Sequence, residues 1–183
     1  MTDSAPTVDD RHPAEVVTAM VEQVLALATS WPAWDGTPVQ VPVEGEQPRT
    51  YAPHKAVRRV ADHRVDHLAE LEARLAGRPT EPDAWHGSMV TTPADLARFT
   101  SEDLDEARSR LRRLAQIWDV RLRALSDDQL DTADQDAWTV RQVAFHVLRR
   151  LCGHPGLTAL SCQAVGHRIC CPTSTRPGRR TSA

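Results

Sequence analysis

Apolar residues recur every three to four positions in four stretches of the chain, separated by polar or Pro- and Gly-rich sequence. The first stretch opens at Pro13 with Glu15 and carries Val17, Met20, Val21, Val24, Leu27 and Trp31 on one face. The second runs from Pro53 to about Ala76, with Val57, Val60, Ala61, Leu68, Leu71 and Leu75 in one stripe and Gly77 and Pro79 closing it. Arg64 falls inside that stripe by angle, which demands either a partner or a side chain stretched to water. The third stretch starts with Ser101 as its cap. It has acid at Glu102, Asp103, Asp105 and Glu106, base at Arg110, Arg112 and Arg113, and it ends at about Leu125. Trp138 and Thr139 open the fourth, in which Val140, Val143, Ala144, Val147 and Leu151 share a face until Gly153 and Pro155 stop it.

Residues 32 to 52 hold Pro32, Pro38, Pro42 and Pro48 with Gly36 and Gly45, so a long crossing loop is predicted there. Residues 78 to 100 read as a second loop with a short helical turn after Pro93. No segment alternates with period two, and the β-branched run Val39 to Val43 is broken by Pro42, so no sheet is predicted. The expectation is an all-α chain. It comprises a disordered N-terminus over 1–12, a four-helix bundle over 13–151 with a long loop between its first two helices, and an irregular tail over 152–183.

At 183 residues and 40% apolar content the chain has material for one core. A net charge of −3 gives no uniform basic field for a phosphate backbone, so nucleic acid is excluded as the expected partner. No apolar run reaches the roughly 18 residues of a membrane span, and the start MTDSAPTVDD lacks the basic and apolar regions of a secretory signal. A soluble, cytoplasmic protein without a membrane partner is expected. The charge is unevenly divided, because every acidic residue lies at or before Asp136 whereas residues 137 to 183 carry seven arginines and all four cysteines. That change predicts a tail that is disordered or that follows a loss of coding frame near residues 148 to 151. Cys152, His154, Cys162, His167, Cys170 and Cys171 form no CxxC pair, so a second zinc site is the weaker reading of the tail.

Residues 56 to 63 read AVRRVADH and residues 139 to 146 read TVRQVAFH, agreeing at five of eight positions. This suggests two related helical hairpins packed about an approximate two-fold axis. Each repeat puts its histidine about 120° from its first valine, beside the apolar stripe. His67 lies one turn beyond His63 on the same face, so His63, His67 and His146 can converge. Three neutral imidazoles suit zinc, nickel or iron and leave a position open for water or substrate. The plainer alternative is three polar residues at helix flanks. His54 is expected at the surface, His12 in the mobile terminus and His86 on an ordinary loop rather than one over the site, while Asp62 and Asp66 solvate the outer face or, as the weaker reading, hold the ligand histidines from behind.

Two segments, APHKAVRRVADHRVDHLAELEARLAG (52 to 77) and LSDDQLDTADQDAWTVRQVAFH (125 to 146), resemble the DinB-like superfamily. These four-helix bundles include mycothiol-dependent maleylpyruvate isomerases and bacillithiol-linked transferases. The likeness covers roughly residues 13 to 150 and is most specific at Trp138 to His146. It implies His146 as a single metal ligand and His63 with His67 as the pair. The family usually carries its pair in the last helix, so the order here is reversed. The resemblance further implies a divalent metal, mycothiol as co-substrate and a small electrophilic substrate such as an unsaturated acid or an epoxide. The lysine-poor, arginine-rich composition marks GC-rich coding DNA and fits an actinobacterial source. Two other readings fit the same residues: a non-catalytic bundle that binds a ligand or forms a homodimer, and a truncated member without activity.

Overall fold

The computed structural model describes residues 10–42, 45, 47–80, 89–133, 138–152 and 155–164. The chain is mainly helical, with helices α1 (Pro13–Ala28), α2 (Pro53–Leu75), α3 (Ser101–Arg123), α4 (Asp127–Asp131), α5 (Val140–Cys152) and α6 (Pro155–Ala164). Strands β1 (Val39–Val41) and β2 (Arg49–Tyr51) form an antiparallel ladder between α1 and α2. The all-α class stands, and the sheet corrects the prediction of a plain loop. Pro42 lies one residue past the end of β1, so its missing N–H removes no ladder bond. Val39 faces Tyr51 across the ladder, and Val41 and Tyr51 turn into the core.

Local signals explain the helix ends. Pro13 takes the first position of α1, and His12, expected in a mobile terminus, caps it instead by accepting the Ala14 N–H on Nδ1 at 3.2 Å. Gly77 follows α2 with φ of 63°, and the N–H groups of Gly77 and Arg78 close back on the Arg74 and Ala73 carbonyls. The cap of α3 is Thr100, not Ser101, because Thr100 and Asp103 exchange side-chain and backbone hydrogen bonds in a capping box. Ser126 and Gln129 do the same for the short α4, which the sequence reading did not contain.

Helices α1 and α2 each pack against both α3 and α5. One core cluster gathers Met20, Val24 and Trp31 with Tyr51, Val60, Phe99, Leu111, Leu157 and Leu160. The other gathers Val17, Leu71, Trp118, Leu122, Leu130, Val140 and Val143. Helix α6 belongs to the first cluster, and Ser161 accepts the Trp31 indole N–H at 3.1 Å and donates to the Leu27 carbonyl at 3.0 Å. The expected irregular tail is therefore helical over Pro155–Ala164, and its remainder lies outside the described residues. Pro155, read as a stop, occupies the first position of a new helix instead. Contrary to the expectation from run length, Pro13–Ala33 is long and apolar enough to cross a membrane by composition, with mean hydropathy 1.2. Here that stretch serves as a core helix, with Val16, Val17, Met20, Val21 and Val24 buried.

Arg64 is fully buried, and its guanidinium donates to the Val60 carbonyl at 3.0 Å and reaches the Met20 sulfur at 3.5 Å. The loop before α3 is tied down through Asp95 in the 3-10 turn Pro93–Leu96, which accepts two bonds from Arg58 of α2 at 3.0 and 2.7 Å. Burial pushes the Asp95 carboxyl up, but the Arg58 bonds and the Thr92 N–H and hydroxyl outweigh it and hold the group below its usual 3.8. A carboxyl with a lower pKa folded than unfolded stabilises the fold above the unfolded value, and that stability is lost as pH falls through the folded value. The urea midpoint of the wild type should thus drop on acidification below about pH 4, and more steeply than that of Arg58→Ala. Parallel acid profiles for the two proteins would show that the pair contributes nothing.

Candidate metal centre

Helix α2 runs unbroken through residues 63 to 67, so His63 and His67 project from consecutive turns of one face. His146 arrives from α5, whose start is fixed by Thr139 and Gln142. The Thr139 N–H donates to Oε1 of Gln142 at 2.9 Å, and the Gln142 N–H donates to Oγ1 of Thr139 at 3.1 Å. Packing of α2 on α5 brings the three rings together, with centroids 4.8 Å apart for His63 and His67, 5.4 Å for His63 and His146, and 5.3 Å for His67 and His146. One ring nitrogen from each residue lies within 4.8 Å of the others. Two nitrogens sharing a tetrahedral zinc at bonds of 2.0–2.1 Å stand about 3.3 Å apart. A shared ion therefore requires the nitrogens to close by up to about 1.5 Å.

The surroundings of His63 exclude a proton from its ring. His63 is 4% exposed, and burial, followed by the neighbouring His67 and His146 rings and the Arg59 and Arg64 guanidiniums, pushes its pKa down to about 2. That ring is therefore neutral at any ordinary pH and keeps a lone pair. Nδ1 of His67 lies 2.9 Å from Oε2 of Glu70, whose carboxyl is held below 4.5 first by this hydrogen bond, against burial, and then by Arg74. An ionised Glu70 accepts Nδ1–H and leaves the lone pair of His67 on Nε2. The Trp138 ring packs 4.5 Å from the His146 ring. Three imidazole nitrogen donors with one outer carboxylate are a donor set that fits a divalent ion and keeps a coordination position for water or substrate.

No protein-family model, curated protein or solved structure matches the chain. The reading of this site accordingly stands on its geometry. A groove of about 400 Å³ lies elsewhere, between α2 and α3, lined by Glu72, Gln116, Ile117, Val120, Arg121 and Ala124.

All three predicted ligands meet, and among the described residues no other histidine joins them. His54 is half-buried in the first turn of α2, with Nε2 3.2 Å from the Arg98 carbonyl and its ring 5.0 Å from Phe99. His86, His154, His167, Cys170 and Cys171 lie outside the described residues. Asp62 pairs with Arg58 at 3.8 Å. The carboxylate at His67 is Glu70, which sequence reasoning missed. Its signal was a spacing of three from His67, which places a carboxylate beside the ring on a helix.

Proposed function

We propose that the chain is a metal-dependent enzyme of the DinB-like kind, built as a four-helix bundle of α1, α2, α3 and α5, with His63, His67 and His146 as ligands of one divalent ion. The observation that carries this reading is the meeting of three imidazoles from two helices, with His67 and His146 79 residues apart in the chain. A divalent ion in such a site lowers the pKa of a bound water or thiol and orients it toward an electrophile. Mycothiol is the thiol implied by the family resemblance, and a small unsaturated acid or epoxide is the implied substrate. The chain's own part is to keep the His63 ring unprotonated by burial and to hold the three rings close together. The same reading places the protein in the cytoplasm.

A second reading, a non-catalytic bundle that pairs with a copy of itself, draws on the exposed Val65, Ile117 and Val120. Metal content separates the two. Protein stripped with chelator and titrated with zinc, nickel or iron(II) is expected to take up about one ion per chain, and the loaded form should consume a thiol when an electrophile is added. A chain that takes up none of the three ions refutes the enzyme reading.

A further inference from the structure

The side chains around the three imidazoles are themselves linked. From His67 the contacts continue through Glu70 to Arg74, whose guanidinium lies 3.5 Å from Oε1 of Glu70. The same guanidinium donates from its other terminal nitrogen to the backbone carbonyl of Trp138 at 2.9 Å. Trp138 sits directly before the Thr139 cap of α5, where a carbonyl has no helical N–H to accept from. Its ring lies against His146, so the chain of contacts that starts at one imidazole on α2 ends at the imidazole on α5.

We infer that Glu70, Arg74 and the Trp138 carbonyl form a positioning relay that sets the tautomer of His67 and the height of His146, an inference that rests on the metal-centre reading above. Glu70 accepts from Nδ1 and so points the lone pair of His67 into the cluster through Nε2. Arg74 holds Glu70 with one terminal nitrogen and the start of α5 with the other. His146 follows Thr139 by seven residues, two helical turns, so fixing the first residue of α5 fixes the level at which its ring meets the pair on α2. The members are partly shielded, with side-chain exposures of 17% for His67, 34% for Glu70 and 17% for Arg74. An isolated surface pair of this kind would add little to stability. A relay holding two helices at a ligand site acts on the geometry of the ligands instead.

The test uses the full chain in two forms. In the metal-free protein at alkaline pH, long-range proton–nitrogen NMR is expected to show His67 as the Nδ1–H tautomer, and Glu70→Ala is expected to shift it toward Nε2–H. In the metal-titrated protein, Glu70→Ala and Arg74→Met should each weaken zinc binding by roughly 10–100-fold and alter the visible absorption of the cobalt-substituted site. Arg74→Lys should recover part of the affinity, and Trp138→Phe, which keeps the carbonyl and an aromatic ring, should retain most of it. A wild-type Nε2–H tautomer at His67 overturns the relay. So does a wild type that binds zinc while Glu70→Ala and Arg74→Met bind it equally well with an unchanged cobalt spectrum. A wild type that binds no metal yet loses its Nδ1–H tautomer in Glu70→Ala sinks the metal reading and supports the relay.

Discussion

Replacing His146 by alanine is expected to remove stoichiometric metal from the protein, and His63→Ala and His67→Ala are expected to do the same. One ring nitrogen from each residue lies within 4.8 Å of the others, so each variant leaves two nitrogens where three stood. Substituting an outer hydrogen-bond partner costs roughly 10–100-fold in metal affinity, and losing a ligand should cost well beyond that. The double variant His63→Ala/His146→Ala separates a shared ion from three independent weak sites. With a shared ion, the second substitution adds little to the first, because contacts made through one common partner are not additive. Independent sites would give losses that add, and a stepwise fall in metal content by isothermal titration and elemental analysis would refute the common centre. The metal-free folds are the control. His146 is only partly buried beside Trp138, so His146→Ala should keep its helical circular dichroism, and the loss of metal can then be assigned to the ligand.

Periodicity was a sound guide wherever an element buries one stripe of a long helix. Pro53 and Gly77 located α2 to within a residue of its observed ends, and of the stripe between them Val57, Val60, Ala61 and Leu71 are buried while Leu75, in the last turn, is exposed. The repeat ending in His63 and His146 was legible for a related reason. Equal sequence offsets from an apolar face become equal angles on two helices, and the packing of α2 on α5 turns equal angles into proximity. The hairpin was not legible, since two strands of three residues are too short to show an alternation. Helix α6 was obscured because Pro155 both ends one helix and opens the next, and because Leu157 and Leu160 alone give a weak stripe. Glu70 was hidden among the other charged residues of α2. Its role depends on which rotamer meets His67, and on Arg74 reaching a backbone carbonyl sixty-four residues away, neither of which spacing encodes.

Trp118→Ala is expected to be the most destabilising single substitution away from the histidines. Trp118 is fully buried at the meeting of five elements, packed with Val17 of α1, Leu71 of α2, Leu122 of α3, Leu130 of α4 and Val140 and Val143 of α5. Its indole N–H donates to the Arg64 backbone carbonyl at 3.3 Å. Removing the ring forfeits its transfer free energy and leaves a void that five elements cannot all close, a cost of about 3–5 kcal/mol. For a domain of this length that is a fall in melting temperature of roughly 6–20 °C. Trp118→Phe keeps most of the volume and loses the hydrogen bond, so it should cost markedly less and isolate the polar contribution at about 1 kcal/mol. The position also has a consequence for the metal centre. The Trp118 indole N–H holds the backbone carbonyl of Arg64, the residue after His63, so Trp118→Ala should weaken metal affinity without touching a ligand. Adding metal should then recover part of its lost melting temperature, because an ion that binds only the folded state draws the equilibrium toward it. A loss under about 1 kcal/mol in Trp118→Ala would mean that the indole is not packed among these helices, and the arrangement that brings the three histidines together would fall with it.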